Sequence, residues 1–270
     1  AVTLADVARR AGVATSTASL VFSGRGPVAS ETRAKVAQAA SELGYSGPDP
    51  RAAQLRTGRT RVVGVSYEGS LSGAFEDPFQ VALLGGLSEV LDSEGYGLLL
   101  LPETPGGESQ LASHSMDAVL FALCGRPTHA DLDALVSRGL PLLGTGAPDD
   151  PRVVHLITDD RAATASLVEH LRGLGHTRIG HVTMPTSADG SPGLAAASEV
   201  YNAPYADTRE RARGFLDAGG SPDLIAVAAD LTLASGVDAA GLLLEASEPP
   251  TAIVCQSDLL ALGAIRAAEV

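Results

Sequence analysis

Apolar residues in the first 45 positions recur with the period of an α-helix. The first helix is predicted to bury a stripe of Leu4, Val7, Ala8 and Ala11. Thr3 precedes this helix as a hydroxyl N-cap, and Gly12 ends it. A second helix is predicted to begin near Thr15, and a third covers about residues 30–43. Two short helices joined by a glycine-containing turn and closed by a third predict a helix-turn-helix head over residues 1–46.

From residue 61 the pattern changes to short apolar runs that alternate with helical stretches. The runs lie at 62–66, 98–101, 118–123, 140–144, 153–157, 178–183, 224–228 and 251–256. This alternation predicts an α/β body of parallel sheets with helices on both faces. The similar stretches at 58–65 and 175–182 each open a strand, which indicates two doubly wound lobes, about 61–158 and about 159–270. A ligand cleft is expected at the carboxyl ends of their strands.

Residues 47–60, GPDPRAAQLRTGRT, separate the head from the body, and we call them the hinge segment. Its prolines disfavour regular helix at the start. Ala52 and Leu55 form a small apolar face on a basic stretch that is too short to be a stable helix alone. One interpretation is an interdomain linker. The other is a short helix that forms only on DNA, with Leu55 as an apolar wedge in the minor groove.

Charge is distributed unevenly along the chain. The net charge is −13 over 270 residues, but residues 1–61 carry nine lysines and arginines against four acids. The remaining 209 residues carry ten basic and 28 acidic side chains. This asymmetry indicates a head that binds nucleic acid on an acidic body that does not compete for phosphate.

The second predicted helix has one face without charge. Periodicity places Thr15, Ser16, Ser19 and Leu20 on this face, opposite a core side of Ala18, Val21 and Phe22. A solvated face is the simpler explanation, although such faces usually consist of Glu, Lys and Arg. Short hydroxyl side chains allow close approach and can bond phosphates and base edges, which favours a DNA major groove.

Other classes of protein are weakly supported. No apolar run approaches the roughly 18 residues of a membrane span, and the first residues lack a signal core, so a cytoplasmic protein is expected. Cys124 and Cys255 are predicted to be buried free thiols, and neither a metal nor another cofactor is expected. An exported sugar receptor would not need a basic head. For an α/β enzyme, the sequence lacks a phosphate loop and a G-x-S-x-G elbow, and GLGHTRIG at 173–180 leads from a helix into a strand.

Several stretches together resemble one family of proteins. They are residues 3–24, 31–45, 51–65, 77–79, 170–182, 209–220 and 251–268. In this order they are similar to the lac-repressor/galactose-repressor family of bacterial transcription regulators. The resemblance implies a periplasmic-binding-protein-like body and a homodimer, sometimes a tetramer, that binds a pseudo-palindromic operator. It also implies a small effector, often a sugar or nucleobase, that binds between the lobes and changes the affinity for DNA.

The resemblance also assigns expected roles to single residues. Base contacts are implied for Thr15, Ser16 and Leu20, backbone contacts for Thr17 and Ser23, and minor-groove contacts for Ala52 and Leu55, while Ser19 shares the same helix face. The implied effector-binding residues are Phe79, Asp159, Asp207, Arg211, Ser257 and Asp258. An arginine at position 211 would bind hydroxyl or carboxylate groups.

At several positions this sequence differs from the family pattern, and each difference changes what is expected there. Leu20 stands where well-known members carry an arginine that contacts guanine, so contact with a thymine methyl is predicted instead. Ala29 stands where serine usually caps the third helix, so Ser30 is predicted to take over the cap. The chain ends inside a predicted helix, about two βα units short of two complete lobes. Both a fragment and the ordered portion of a longer chain remain open as explanations.

Overall fold

The computed structural model describes residues 2–24, 26–47, 58–68, 71–75, 77–103, 109–122, 127–187 and 191–269. The chain divides into two compact units, Ala1–Thr60 and Arg61–Val270.

The first unit contains the three helices that the sequence predicts: α1 (Leu4–Ala11), α2 (Thr15–Ser23) and α3 (Ser30–Leu43). Thr3 caps α1 in a reciprocal arrangement with Asp6. The Thr3 hydroxyl accepts from the Asp6 N–H, and the Asp6 carboxylate accepts from the Thr3 N–H at 3.0 Å. The Thr3 hydroxyl and the Thr3 N–H both donate to the Asp6 carboxylate, and these two hydrogen bonds lower the pKa of Asp6. Gly12 ends α1 with φ of 67°, a left-handed conformation that glycine adopts without strain.

The three helices share a small apolar core. Its fully buried members are Val7, Ala8, Ala18, Val36, Ala39 and Ala40. Phe22 and Tyr45 pack edge to face at its border, with ring centroids 5.3 Å apart. The prediction that Ser30 caps α3 is wrong, because Ala29 occupies the N-cap position and makes no side-chain hydrogen bond there. Ser30 is already the first helical residue.

The first lobe of the second unit is built on a parallel sheet in the order β2-β1-β3-β4-β5. The strands are β1 (Val62–Glu68), β2 (Gly97–Glu103), β3 (Ala118–Ala122), β4 (Leu142–Gly144) and β5 (Val154–His155). Its helices are α4 (Pro78–Glu94) and α5 (Leu132–Ser137). Alternate residues of β3 enter two different apolar clusters, Val119 and Phe121 in one and Leu120 and Ala122 in the other. The sheet is therefore packed on both faces, as predicted.

The second lobe has the strand order β7-β8-β6-β9. Its strands are β6 (Ile179–Thr183), β7 (Gly193–Leu194), β8 (Ile225–Val227) and β9 (Ala252–Cys255). Its helices are α6 (Asp160–Gly173), α7 (Ala197–Tyr201), α8 (Ala206–Asp217), α9 (Leu233–Leu244) and α10 (Asp258–Ala268). All eight predicted strands are present. The additional β7, which runs antiparallel to β8, has only two residues and so leaves no periodicity to detect.

Among the residues that the structure describes, no helix is long and apolar enough to cross a membrane.

Candidate functional site

The uncharged face of α2 is accessible, as its periodicity predicts. Thr15, Ser16, Leu20 and Ser23 are exposed, and Thr17 and Ser19 are half-buried. Leu20 keeps 40 % of its surface accessible, whereas Ala18 on the core side keeps none. Neither end of α2 carries a charged residue. This face therefore offers short hydroxyl groups and one apolar side chain to a partner.

Leu20 lies beside the backbone of the segment that follows α2. A Cβ atom built on Gly26 would lie 3.6 Å from Leu20 Cδ2. The leucine therefore has a packing neighbour on one side and solvent on the other. The two hinge positions predicted to contact DNA, Ala52 and Leu55, lie outside the described residues.

A cavity of about 460 Å³ opens between the two lobes of the second unit. Its walls are formed by Tyr67, Glu68, Asp77, Pro78, Phe79, Gln80, Met184, Arg211, Leu231, Gln256, Ser257, Asp258, Leu259 and Leu262. The first lobe contributes the end of β1 and the start of α4. The second lobe contributes the residue after β6, part of α8 and the start of α10. The cavity thus lies at the carboxyl ends of parallel strands, where such folds bind ligands.

Four of the six residues predicted to bind an effector line this cavity: Phe79, Arg211, Ser257 and Asp258. The other two are absent from its walls. Asp159 is the N-cap of α6 and accepts a hydrogen bond from the Ala162 N–H at 3.0 Å. Asp207 lies half-buried in the first turn of α8.

Arg211 is held in place from two sides. Its Nη1 donates to the carbonyl oxygen of Gln256 at 2.7 Å, and its Nε lies 3.3 Å from Oδ1 of Asp160. The backbone explains why Asp160 can reach it. Gly214, one turn after Arg211, lies so close to α6 that a Cβ would be 2.2 Å from the carbonyl oxygen of Arg161. Close packing of α8 on α6 therefore brings guanidinium and carboxylate together.

The first lobe supplies a second polar arrangement to the cavity. Gln80 is buried although it belongs to an otherwise apolar turn of α4, and its Nε2 donates to the Tyr67 hydroxyl at 3.1 Å. Glu68, which follows Tyr67 in the chain, accepts a hydrogen bond from the hydroxyl of Tyr205 at 3.1 Å. This bond joins the two lobes directly.

The carboxylates of the cavity outnumber its cations among the described residues. Glu68, Asp77 and Asp258 line it together with Arg211, whose charge is already paired with Asp160. Phe79 adds an aromatic ring that is 64 % exposed. An acidic wall disfavours an anionic ligand, and the accessible ring offers an apolar surface to whatever binds there.

Two family profiles match the chain. Residues 3–47 match the profile described as bacterial regulatory proteins, lacI family. Residues 62–270 match periplasmic binding proteins and sugar binding domain of LacI family. The chain belongs to the LacI family. The family predicted from the motifs is thus confirmed over most of the sequence.

Curated relatives of this LacI-family chain are regulators. An HTH-type transcriptional regulator of Mycolicibacterium smegmatis is 32% identical over 97% of this chain and 76% of its own length. The HTH-type transcriptional regulator MalR of Streptomyces coelicolor is 31% identical over 98% of this chain and 75% of its own.

Solved structures show the same architecture. A transcriptional regulator CelR–cellobiose complex is 26% identical, with a TM-score of 0.62, covering 100% of this chain and 78% of that one. A lac repressor dimer bound to operator and the anti-inducer ONPF is 23% identical, with a TM-score of 0.72 over 99% of this chain and 77% of that one. The second likeness supports the fold alone.

This LacI-family protein is an effector-controlled, DNA-binding transcriptional regulator. The hypotheses of an α/β enzyme and of an exported receptor are not favoured, because the relatives are helix-turn-helix regulators.

Sequence reasoning did not identify several residues of the cavity, notably Gln80, Gln256 and Tyr67. A single glutamine in a helix or after a strand carries no spacing signal, so only the fold reveals its position. Cys255 is a free, half-buried thiol, and burial raises its pKa to about 12, which keeps it protonated. Cys124 lies outside the described residues. Within the described ranges, no group of three or more His, Cys, Asp or Glu side chains could hold a metal ion.

Proposed function

We propose that the protein is a homodimeric repressor whose affinity for operator DNA changes when an uncharged, hydroxyl-rich molecule occupies the cavity between its lobes. The observation that carries this proposal is the cavity itself, which both lobes build and which contains four of the six predicted effector residues. A ligand that contacts both lobes binds better to one of their relative positions. By linkage, the ligand and DNA then alter each other's affinity by the same factor.

The head is proposed to bind DNA through α2. Thr15, Ser16 and Leu20 would contact base edges, Ser19 would lie in the same groove, and Thr17 and Ser23 would contact the backbone. Two heads of a dimer would span two major-groove half-sites, which requires a pseudo-palindromic operator. The proposed assembly follows the arrangement of a lac repressor dimer on operator, a protein with the same fold as this chain. A tetramer would show itself as twice the mass of the dimer in solution.

The hinge segment is proposed to enter the minor groove between the half-sites, with Leu55 as wedge and Ala52 beside it. Leu55→Ala would then weaken specific binding by up to a few kcal/mol. Unchanged operator affinity would make the segment a simple tether. Because the partner is chromosomal DNA, we place the protein in the bacterial cytoplasm, associated with the nucleoid when it is bound.

The effector is proposed to be a neutral sugar. Three lining carboxylates and one paired guanidinium oppose phosphate and carboxylate groups, while Phe79 and Tyr67 offer ring surface to the apolar face of a pyranose. The match to the sugar binding domain of the LacI family and the cellobiose in the complex of a solved neighbour support this class of ligand. Asp159 and Asp207 do not line the cavity, and they are proposed to contact the effector only when the lobes close around it.

A thermal-shift screen tests the proposed class of effector. Cellobiose, maltose and glucose are compared with glucose 6-phosphate and glucuronate, which keep the pyranose ring of glucose and add negative charge. A neutral sugar is expected to raise the melting temperature in proportion to the logarithm of its concentration above Kd. Stabilisation by the charged compounds alone would contradict the proposed ligand class.

A further inference from the structure

A histidine without an assigned role lies behind the cavity wall. His181 on β6 is fully buried, and its ring stacks on Phe215 with centroids 4.3 Å apart and planes 8° from parallel. Its Nδ1 lies 2.9 Å from the carbonyl oxygen of Val254, and its Nε2 lies 3.0 Å from Nε2 of Gln256. His181 itself is not among the residues that line the cavity.

The partners of His181 define where its proton lies. A carbonyl oxygen can only accept, so Nδ1 carries the hydrogen and donates to Val254. A neutral ring then leaves a lone pair on Nε2, which accepts from the Gln256 amide. Burial favours this neutral form and lowers the pKa of His181 to about 4.

The same argument fixes the orientation of the Gln256 side chain. Its Nε2 also donates to the carbonyl oxygen of Thr208 at 3.1 Å, and its Oε1 accepts from the Met184 N–H at 3.1 Å. A reversed amide would place its oxygen against the Thr208 carbonyl and the His181 lone pair, and its NH₂ against an N–H donor. Only one orientation satisfies all three neighbours while His181 is neutral.

This single amide joins three of the segments that build the second lobe's side of the cavity. Met184 follows β6, Thr208 lies on α8, and Gln256 precedes α10. Arg211 lies one turn after Thr208 and donates to the Gln256 carbonyl at 2.7 Å. Met184, Arg211 and Gln256 all line the cavity. Because Arg211 donates to the main-chain carbonyl of Gln256, the position of the arginine depends in part on how Gln256 is held, and its other partner is Asp160.

We propose that His181 and Gln256 form a positioning pair, in which the Nε2 lone pair of neutral His181 orients the Gln256 amide and thereby places Arg211 at the cavity wall. The proposal deepens the proposed function and rests on it, since it assumes that this cavity binds the effector. The alternative is a core histidine that contributes packing and satisfied hydrogen bonds only.

Two amide substitutions separate these possibilities, because each keeps one of the two hydrogen bonds of His181 and removes the other. His181→Gln places an oxygen near the former Nε2 and keeps an acceptor for Gln256. His181→Asn places an NH₂ group near the former Nδ1 and keeps only the donor to Val254. Both variants remove the stacking on Phe215, but Asn also leaves more empty volume than Gln, so the unfolding free energies of the two variants must match before a difference at Arg211 is assigned to the lost acceptor.

The experiment uses the full chain and two readouts. ¹⁵N NMR of the guanidinium group reports whether Arg211 is ordered, with Arg211→Lys used to assign its signal. Calorimetry with cellobiose reports affinity. His181→Gln is expected to keep the ordered Arg211 signal and nearly the native affinity. His181→Asn is expected to lose the ordered signal and to bind cellobiose about tenfold more weakly, the effect of one buried hydrogen bond.

Equal Arg211 spectra in the two variants would overturn the proposal. If both variants unfold, the native protein still tests the proposal, because ¹⁵N spectra of its histidines must show His181 protonated at Nδ1 and unprotonated at Nε2. A ring protonated at Nε2 at neutral pH would overturn the proposal as well. If cellobiose does not bind the native protein, the choice of effector is wrong, whereas the Arg211 spectra still test the positioning pair.

Discussion

The α2 face and the cavity differ in how far apart their residues lie along the chain. The residues of the face lie within nine consecutive positions, Thr15–Ser23, and the helical period alone predicts which of these positions face outwards and which face the core. The cavity gathers residues from Tyr67 to Leu262, and each of its walls depends on a separate packing arrangement. A local site follows from one helix, while a distributed site follows from the fold. A substitution on the face should therefore remove one DNA contact and leave the others in place. A substitution in the cavity should disturb several ligand contacts together.

Deleting residues 1–60 should have the largest effect and should separate the two sites. Operator binding is expected to disappear, because every proposed DNA contact lies in the removed part. Stabilisation of the remaining unit by a neutral sugar should persist. Fluorescence anisotropy with an operator selected from random DNA measures the first property, and thermal shift measures the second. Operator binding by the truncated protein would refute the assignment of the head.

Acidification should destabilise the body through His181. The pKa of His181 is about 4 in the folded state and near 6.5 in the unfolded chain. Between pH 4 and pH 6.5 the His181 ring is therefore protonated in the unfolded chain and neutral in the folded protein. The stability that it contributes is present above pH 6.5 and is lost as the pH falls towards 4, by up to about 3 kcal/mol. Denaturant unfolding at several pH values measures this slope. His181→Phe keeps an aromatic ring but cannot be protonated, so it should reduce the dependence of the unfolding free energy on pH. An unchanged pH dependence in this variant would assign the effect to other groups.

The contact of α8 with α6 should tolerate no added methyl group. In Gly214→Ala the new Cβ would meet the carbonyl oxygen of Arg161 at 2.2 Å, so a loss of about 1–3 kcal/mol in unfolding free energy is expected. Gly241→Ala is the matched control, because it lies within α9 with no atom within 4 Å of the added Cβ. It should be neutral or stabilising by up to about 1 kcal/mol. Equal stability of the two variants would contradict the close packing that places Arg211.

A change at Leu20 should alter which base is preferred and leave the cavity intact. Leu20→Arg is expected to shift one base pair of the selected site from thymine towards guanine, a discrimination of about 1–3 kcal/mol. Leu20→Ala should weaken the thymine preference without creating one for guanine. Selection from random DNA measures both. If no position of the selected site changes, Leu20 does not lie in the groove.

Sequence reasoning was strongest where structure is local. The periodicity of apolar side chains predicted the three helices of the head and eight strands. Hydroxyl residues and glycines at the ends of these elements predicted the Thr3 cap and the turns. The α3 cap was missed because serine favours both an N-cap and the first helical turn, and only backbone geometry separates these positions. Gln80 and Gln256 were missed because their importance comes from partners far away in sequence: Gln256 contacts Met184, Thr208 and His181. Family resemblance located Arg211, but not the amide that holds it.

The most direct test of the account measures operator affinity of the full chain with and without a saturating neutral sugar. We expect a change in operator affinity of about fivefold or more, which Arg211→Ala should abolish and Arg213→Ala should preserve. Arg213 is a suitable control because it lies on the same helix, contacts Glu210 and Tyr201, and is absent from the cavity wall. A sugar that binds the protein and leaves operator affinity unchanged would contradict the central claim that the cavity controls the head.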